Sequence, residues 1–144
     1  MKLNTASETL SFLREQEERL AAFYEDLARR FPEHADTFKA FAQENRKYNK
    51  QIQMAYQSVI TDAIEGCYAF DLETEDYELD TALDQDADLA RAVAKALELE
   101  ERIIAAYSKG AEQSGSLMAD VPRNFKIVVR KRGARLAKLR ELAG

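Results

Sequence analysis

Apolar residues recur along most of this chain at three- and four-residue steps, the spacing that lines one face of an α-helix. The first stripe reads Leu13, Glu17, Leu20, Tyr24, Leu27, Phe31 and follows Ser7 and an acidic first turn, which predicts a helix over about 6–31. Pro32 ends it and suits a new helix start, so a second helix is predicted over 34–66 with Phe38, Phe41, Asn45, Tyr48, Ile52, Ala55 and Val59 inward. A third, over 86–112, carries Leu89, Val93, Leu97, Glu100, Ile104 and Tyr107. A fourth, over 119–142, carries Phe125, Val128, Arg132, Arg135, Leu139 and Leu142, with Pro122 tolerated in its first turn.

Short connections make the first pair and the last pair of helices antiparallel neighbours, with Gly110 to Gly115 as the second turn. Between Cys67 and Asp86 the period fails. A link of that length inside a compact domain needs a reason, and an end-to-end crossover that leaves the second and third helices parallel supplies one. The expected fold is therefore all-α: one domain over 1–144, two helical hairpins joined by one long crossover.

Four charged residues stand on these greasy stripes: Glu17, Glu100, Arg132 and Arg135. Burying a bare charge costs several kcal/mol, of order 5. Two acids and two arginines facing one interior are therefore expected to face one another. For either arginine the alternative is a flanking side chain that snorkels to water. The halves also repeat. Glu17-Glu18-Arg19-Leu20-Ala21-Ala22-Phe23-Tyr24 matches Glu100-Glu101-Arg102-Ile103-Ile104-Ala105-Ala106-Tyr107, each with an inward glutamate seven residues before an inward tyrosine. An internal duplication accounts for the match and puts the two glutamates at equivalent depths.

Composition narrows the picture further. With 46% hydrophobic and 33% charged residues the chain is globular. No run approaches the roughly 18 apolar residues of a membrane span, and the first residues lack the apolar core of a signal peptide. A cytoplasmic protein is the expectation. The one cysteine, Cys67, reads as a small buried hydrophobe, against a reactive thiol or an intersubunit bridge.

The net charge of −5 is unevenly spread: residues 51–90 hold eleven acids and no lysine or arginine. From Pro122 onward there are eight bases against Glu141. The basic last helix is expected to neutralise the chain's own acidic stretch, with nucleic acid or an anionic membrane as the lesser reading.

The repeated block, the Phe38-x-x-Phe41-Ala42-x-Glu44 run and the long crossover together resemble the ferritin-like superfamily, specifically rubrerythrin-type four-helix bundles, over about residues 7–142. The resemblance implies an up-down-down-up bundle. It also implies a di-iron site built from a glutamate on the first and third helices and a Glu-x-x-His pair on the second and fourth. Glu17 and Glu100 match the single glutamates. The Glu-x-x-His positions are occupied instead by Asn45 and Tyr48 and by Arg132 and Arg135, and the only histidine, His34, lies in a turn.

On this reading the metal centre has been replaced by a salt-bridge network, no cofactor is expected, and the protein serves as a binding or scaffold protein. Like its self-associating relatives it would be a homodimer, with a protein partner at the aromatic crossover (Tyr68, Phe70, Tyr77) and no nucleic acid or membrane. The competing expectation is a divergent iron or manganese peroxidase or ferroxidase using Glu17, Glu100 and Glu44. Shifting the second-helix register to Glu44 and Lys47 would place the ligands on a solvent stripe.

Overall fold

The computed structural model describes residues 1–116 and 120–143, and most of them are helical. Four long helices, α1 (Ala6–Arg30), α2 (Ala35–Thr61), α4 (Leu89–Gln113) and α5 (Asp120–Ala143), form the body. Between α2 and α4 lies a short helix, α3 (Thr74–Tyr77). Two two-residue strands, β1 (Lys2–Leu3) and β2 (Leu72–Glu73), and two 3-10 turns, Pro32–His34 and Ser114–Ser116, complete the described elements. The expected start of the last helix at residue 119 lies outside the described residues. Within the bundle α1 packs on α2, α4 on α5, α2 on α5 and α1 on α4.

The ends of the helices follow local chemistry. Thr5, not Ser7, caps α1: its hydroxyl accepts from the Glu8 backbone N–H at 3.1 Å and the Glu8 carboxylate accepts from the Thr5 N–H at 3.2 Å, a reciprocal capping box. Pro32 opens a 3-10 turn (Pro32–His34) that turns the chain into α2. Helix α2 stops at Thr61, five residues before Gly66. Val59 is its last inward residue, and another turn would carry Asp62 and Gly66 to the inside with nothing apolar to bury. Ala63 then takes the left-handed conformation (φ 55°), and the Ile64 N–H closes back on the Val59 carbonyl at 3.0 Å.

Every expected inward residue of α2 is buried, from Phe38 to Val59. The α4 stripe is rotated. Val93, Glu100 and Tyr107 are inside as expected, but Leu89, Leu97 and Ile104 lie half-buried on the flank, while Ala92, Ala96, Leu99, Ile103 and Ala106 fill the interior. The alanines let α4 approach its neighbours closely, which a purely large-residue stripe does not anticipate. Gly110 belongs to α4 and not to the turn. A Cβ there would lie 2.8 Å from the Phe125 ring, so glycine makes room for that aromatic. Helix α4 begins at Leu89, where the Asp88 side chain accepts from the Arg91 N–H at 2.9 Å.

The crossover is bound down over much of its length. Its strand β2 pairs antiparallel with β1, Lys2 opposite Glu73 and Leu3 opposite Leu72. Phe70, Leu72 and Leu79 are buried. Gln16 of α1 accepts from the Leu79 N–H at 2.8 Å, Arg102 of α4 donates to the Glu75 and Glu78 carbonyls at 2.7 and 3.0 Å, and Arg30 donates to the Asp84 carbonyl at 2.7 Å. These side-chain attachments run to α1 and α4.

Three expectations change here. Cys67 is exposed, because it sits in the loop beyond α2 and not on a packed face. Of the crossover aromatics, Phe70 is core and Tyr77 half-buried, leaving Tyr68, 80% exposed, as open aromatic surface. Finally, the acidic stretch does not neutralise α5. Its acids pair with Lys2, Arg19, Arg91 and the N-terminal amine, and among the described residues no ion pair joins residues 51–90 to α5.

Candidate functional site

At the level where the two repeats face each other, Glu17, Asn45, Tyr48, Glu100, Arg132 and Arg135 converge in the bundle core, none of them more than 2% exposed. Phe38, Phe41 and Phe125 set the rotation of α2 and α5 by burying their own faces. A residue seven positions on from Phe38 or Phe125 is then carried to the same inner line, two turns along.

Arg132 is the hub. Its two terminal nitrogens fork onto Glu17, Nη1 to Oε2 at 2.5 Å and Nη2 to Oε1 at 2.6 Å, while Nε donates to Glu100 Oε2 at 2.8 Å. This is the bidentate geometry that a planar guanidinium offers and an ammonium cannot. Arg135 completes the set: Nη1 donates to Glu100 Oε1 at 2.9 Å and to Asn45 Oδ1 at 2.5 Å, and Nη2 donates to the Phe41 carbonyl at 2.9 Å. Asn45 in turn donates to Glu17 Oε1 at 3.0 Å.

The rings of Tyr48, Tyr24, Tyr107 and Phe41 close over the guanidiniums. Arg132 stands 4.5 Å from the Tyr48 centroid and Arg135 4.9 Å from that of Phe41, distances at which the ring quadrupole attracts a cation. The Tyr48 hydroxyl itself has no hydrogen-bond partner among the described residues, so Tyr48 acts here through its ring.

The tyrosines of the repeat join the two halves. Tyr24 donates to Glu100 Oε1 at 2.8 Å and Tyr107 donates to Glu17 Oε2 at 2.6 Å, so each glutamate is held by the tyrosine of the other repeat. The spacing placed both tyrosines inward without assigning these bonds. The shared seven-residue offset was the available signal, since two helices crossing in opposite senses put each glutamate level with the other's tyrosine.

The electrostatics close as well as the geometry. Two carboxylates and two guanidiniums cancel, and every carboxylate oxygen of Glu17 and Glu100 accepts at least one bond. Burial alone would raise the Glu100 carboxyl, but Arg132 and Arg135 outweigh it and hold the group below its ordinary range. Burial and the Glu100 charge push the Tyr24 phenol far up, and burial and Glu17 do the same to Tyr107. Both tyrosines are thereby kept as donors.

The donor set does not fit a di-iron or di-manganese centre. The lone pairs that would face two metal ions already face two guanidiniums, and a cation brought between them would meet two fixed positive charges. Glu44, the third acid of the enzyme expectation, keeps a 43% exposed side chain 4.0 Å from Arg135. His34 lies in the turn between α1 and α2. Among the described residues no three histidine, cysteine, aspartate or glutamate side chains gather as metal ligands. Comparison with protein-family models, with curated proteins and with solved structures gives no match.

Proposed function

We propose that this chain is a ferritin-like, rubrerythrin-type bundle whose di-iron site has become a buried arginine–glutamate network, and that it works as a non-catalytic binding or scaffold protein. The observation that carries the reading is the Arg132 fork on Glu17, with Nε on Glu100, at the centre of a duplicated helical pair. A guanidinium is charged at every physiological pH, so it can stand permanently where a dication would otherwise balance the two acids.

The up-down-down-up order is supported by side-chain levels. Glu17 lies beside Tyr107 and Tyr24 beside Glu100, as antiparallel α1 and α4 require. Arg46 with Glu25 and Asn49 with Glu18 set α2 against α1 in the same sense. A non-catalytic role follows from what the core lacks in freedom. The carboxylates are fully engaged, and a network of this kind fixes helix register more than it does chemistry.

The test is elemental analysis of protein purified from iron- and manganese-supplemented cells, repeated after incubation with ferrous iron. Less than about a tenth of a metal ion per chain is expected. A stoichiometry near two, with loss of metal in Glu17→Gln and Glu100→Gln, would establish the divergent oxidoreductase instead.

A further inference from the structure

The charge that the core consumes leaves a second imbalance outside. Arg132 and Arg135 are spent on Glu17 and Glu100, and Arg123 pairs with Asp120 of its own helix. The exposed bases Lys126, Arg130, Lys131, Lys138 and Arg140 take part in none of the ion pairs among the described residues. On the helical wheel Lys126, Arg130, Gly133, Ala137 and Arg140 fall in one line at alternating steps of four and three, a stripe about 21 Å long at 1.5 Å per residue. Gly133, in its middle, has open space where a Cβ would stand, so no packing within the chain calls for a glycine there. A weak helix former between Lys126 and Arg130 on one side and Arg140 on the other leaves the backbone open to close approach.

The complementary surface is on the same molecule but on another element. The crossover is fastened to α1 and α4, while α5 turns its inner face to α4 and α2. Asp76, Asp80 and Asp86 of the crossover are exposed and take part in no ion pair among the described residues. The unpaired acids and the unpaired bases therefore sit on different elements, and among the described residues no ion pair joins the two within one chain.

We propose that a second copy of this chain covers the α5 stripe with its acidic crossover, giving a head-to-tail, salt-sensitive association. Two distinct patches make a heterologous contact that leaves a free patch at each end, so assembly continues past a closed dimer. This names the surface for the self-association in the proposed scaffold role and does not depend on the history of the core. A nucleic acid fits less well. The chain carries a net charge of −5, the stripe holds no aromatic residue, and phosphate binding would have to overcome the acids of the same molecule.

Sedimentation velocity over a concentration series, in about 20 mM and about 0.5 M salt, tests this, because the screening length shrinks from roughly 20 Å to about 4 Å. At low salt the average mass is expected to climb with concentration beyond two chains, and at high salt to return to the 16.4 kDa of one. The triple variant K126E/R130E/R140E and the triple variant D76K/D80K/D86K should each stay monomeric at low salt. An equimolar mixture of the two should associate again, with helical circular dichroism confirming that both are folded.

A wild-type chain that remains at one mass across the series overturns the proposal, as does a closed dimer that survives high salt or either reversal. Stripe-dependent binding of a fluorescent oligonucleotide or of anionic vesicles, without self-association, assigns the face to another occupant and also overturns it. Metal content is unaffected by any of these variants, so failure here and failure of the core reading are separately visible.

Discussion

The two hairpins of this bundle share a frame and differ in what they put at its centre. In α1–α2, Glu17 and Tyr24 face Asn45 and Tyr48. In α4–α5, Glu100 and Tyr107 face Arg132 and Arg135, at the same offsets of seven and ten from Phe38 and Phe125. The aromatic contacts correspond too, Tyr24 stacking on Phe38 and Tyr107 meeting Phe125 edge-on. In the core, the first hairpin contributes one negative charge and the second a net positive one. Two copies of the first would bury two carboxylates without a cation, and two copies of the second would crowd four guanidiniums onto two carboxylates. Two hairpins with corresponding aromatic contacts thus become specific for each other through one helix's charge, by penalising the wrong pairings.

The sharpest way to break this comparison is to remove the hub. Arg132→Ala is expected to cost about 3–5 kcal/mol, because it strands Glu17 without a cation in a fully buried site. At the equivalent position of the first hairpin, Asn45→Ala should cost only about 1–3 kcal/mol, because it removes an uncharged amide's hydrogen bonds to Glu17 and Arg135 and leaves the ion pairs in place. Chemical-denaturation midpoints read the difference, and equal costs would mean the halves are not distinguished by charge. Replacing Glu17, Glu100, Arg132 and Arg135 together by leucine or methionine should be milder than Arg132→Ala alone. A well-packed apolar core often matches a buried ion pair.

A smaller effect is expected where the hairpins differ in volume. Gly110 occupies the place, three residues past Tyr107, that Leu27 holds after Tyr24. Gly110→Ala would gain roughly 1 kcal/mol of helix propensity at an open site. Against the buried Phe125 ring it is expected to lose about 1–2 kcal/mol net through overpacking. Gly133→Ala, with nothing near its Cβ, should gain up to about 1 kcal/mol, and the opposite signs of the two substitutions can be read from melting temperatures.

The gentlest probe is pH. Because the folded Glu100 sits below its unfolded pKa, its contribution is present above the unfolded value and fades as pH falls through the folded one. Tyr24 and Tyr107 are shifted upward, so their contribution is complete below the unfolded tyrosine value and disappears as pH rises toward their folded ones. Denaturation midpoints should decline on both flanks of a broad plateau. Tyrosinate absorbance from these two side chains should appear only together with loss of helical signal. If it appears while the helices are intact, the reciprocal bonds are weaker than the geometry indicates.

Much of the core could be read in advance, for a physical reason: a charged residue on an apolar stripe has few affordable environments. Glu17, Glu100, Arg132 and Arg135 identified themselves in this way, and the large residues of α2 fixed its face. Helix α4 was misjudged because its interior is built from Ala92, Ala96 and Ala106, which weigh little in a hydrophobic pattern beside Leu97 and Ile104. The β1–β2 clasp had no periodicity to show, being two residues long on each side. The acidic stretch and the basic helix match in total charge, but totals carry no position: the acids of the stretch pair with Lys2, Arg19, Arg91 and the N-terminal amine, and among the described residues none pairs with α5.

The Arg132–Glu17 fork spans 115 residues of chain. While the protein is being synthesised, α1, α2 and α4 emerge before the arginines that neutralise their two acids. A three-helix intermediate would hold Glu17 and Glu100 where burial is costly and no cation is at hand, which favours keeping its centre open and wet. Closure then waits for α5, and the arrival of that helix decides when the interior can dry.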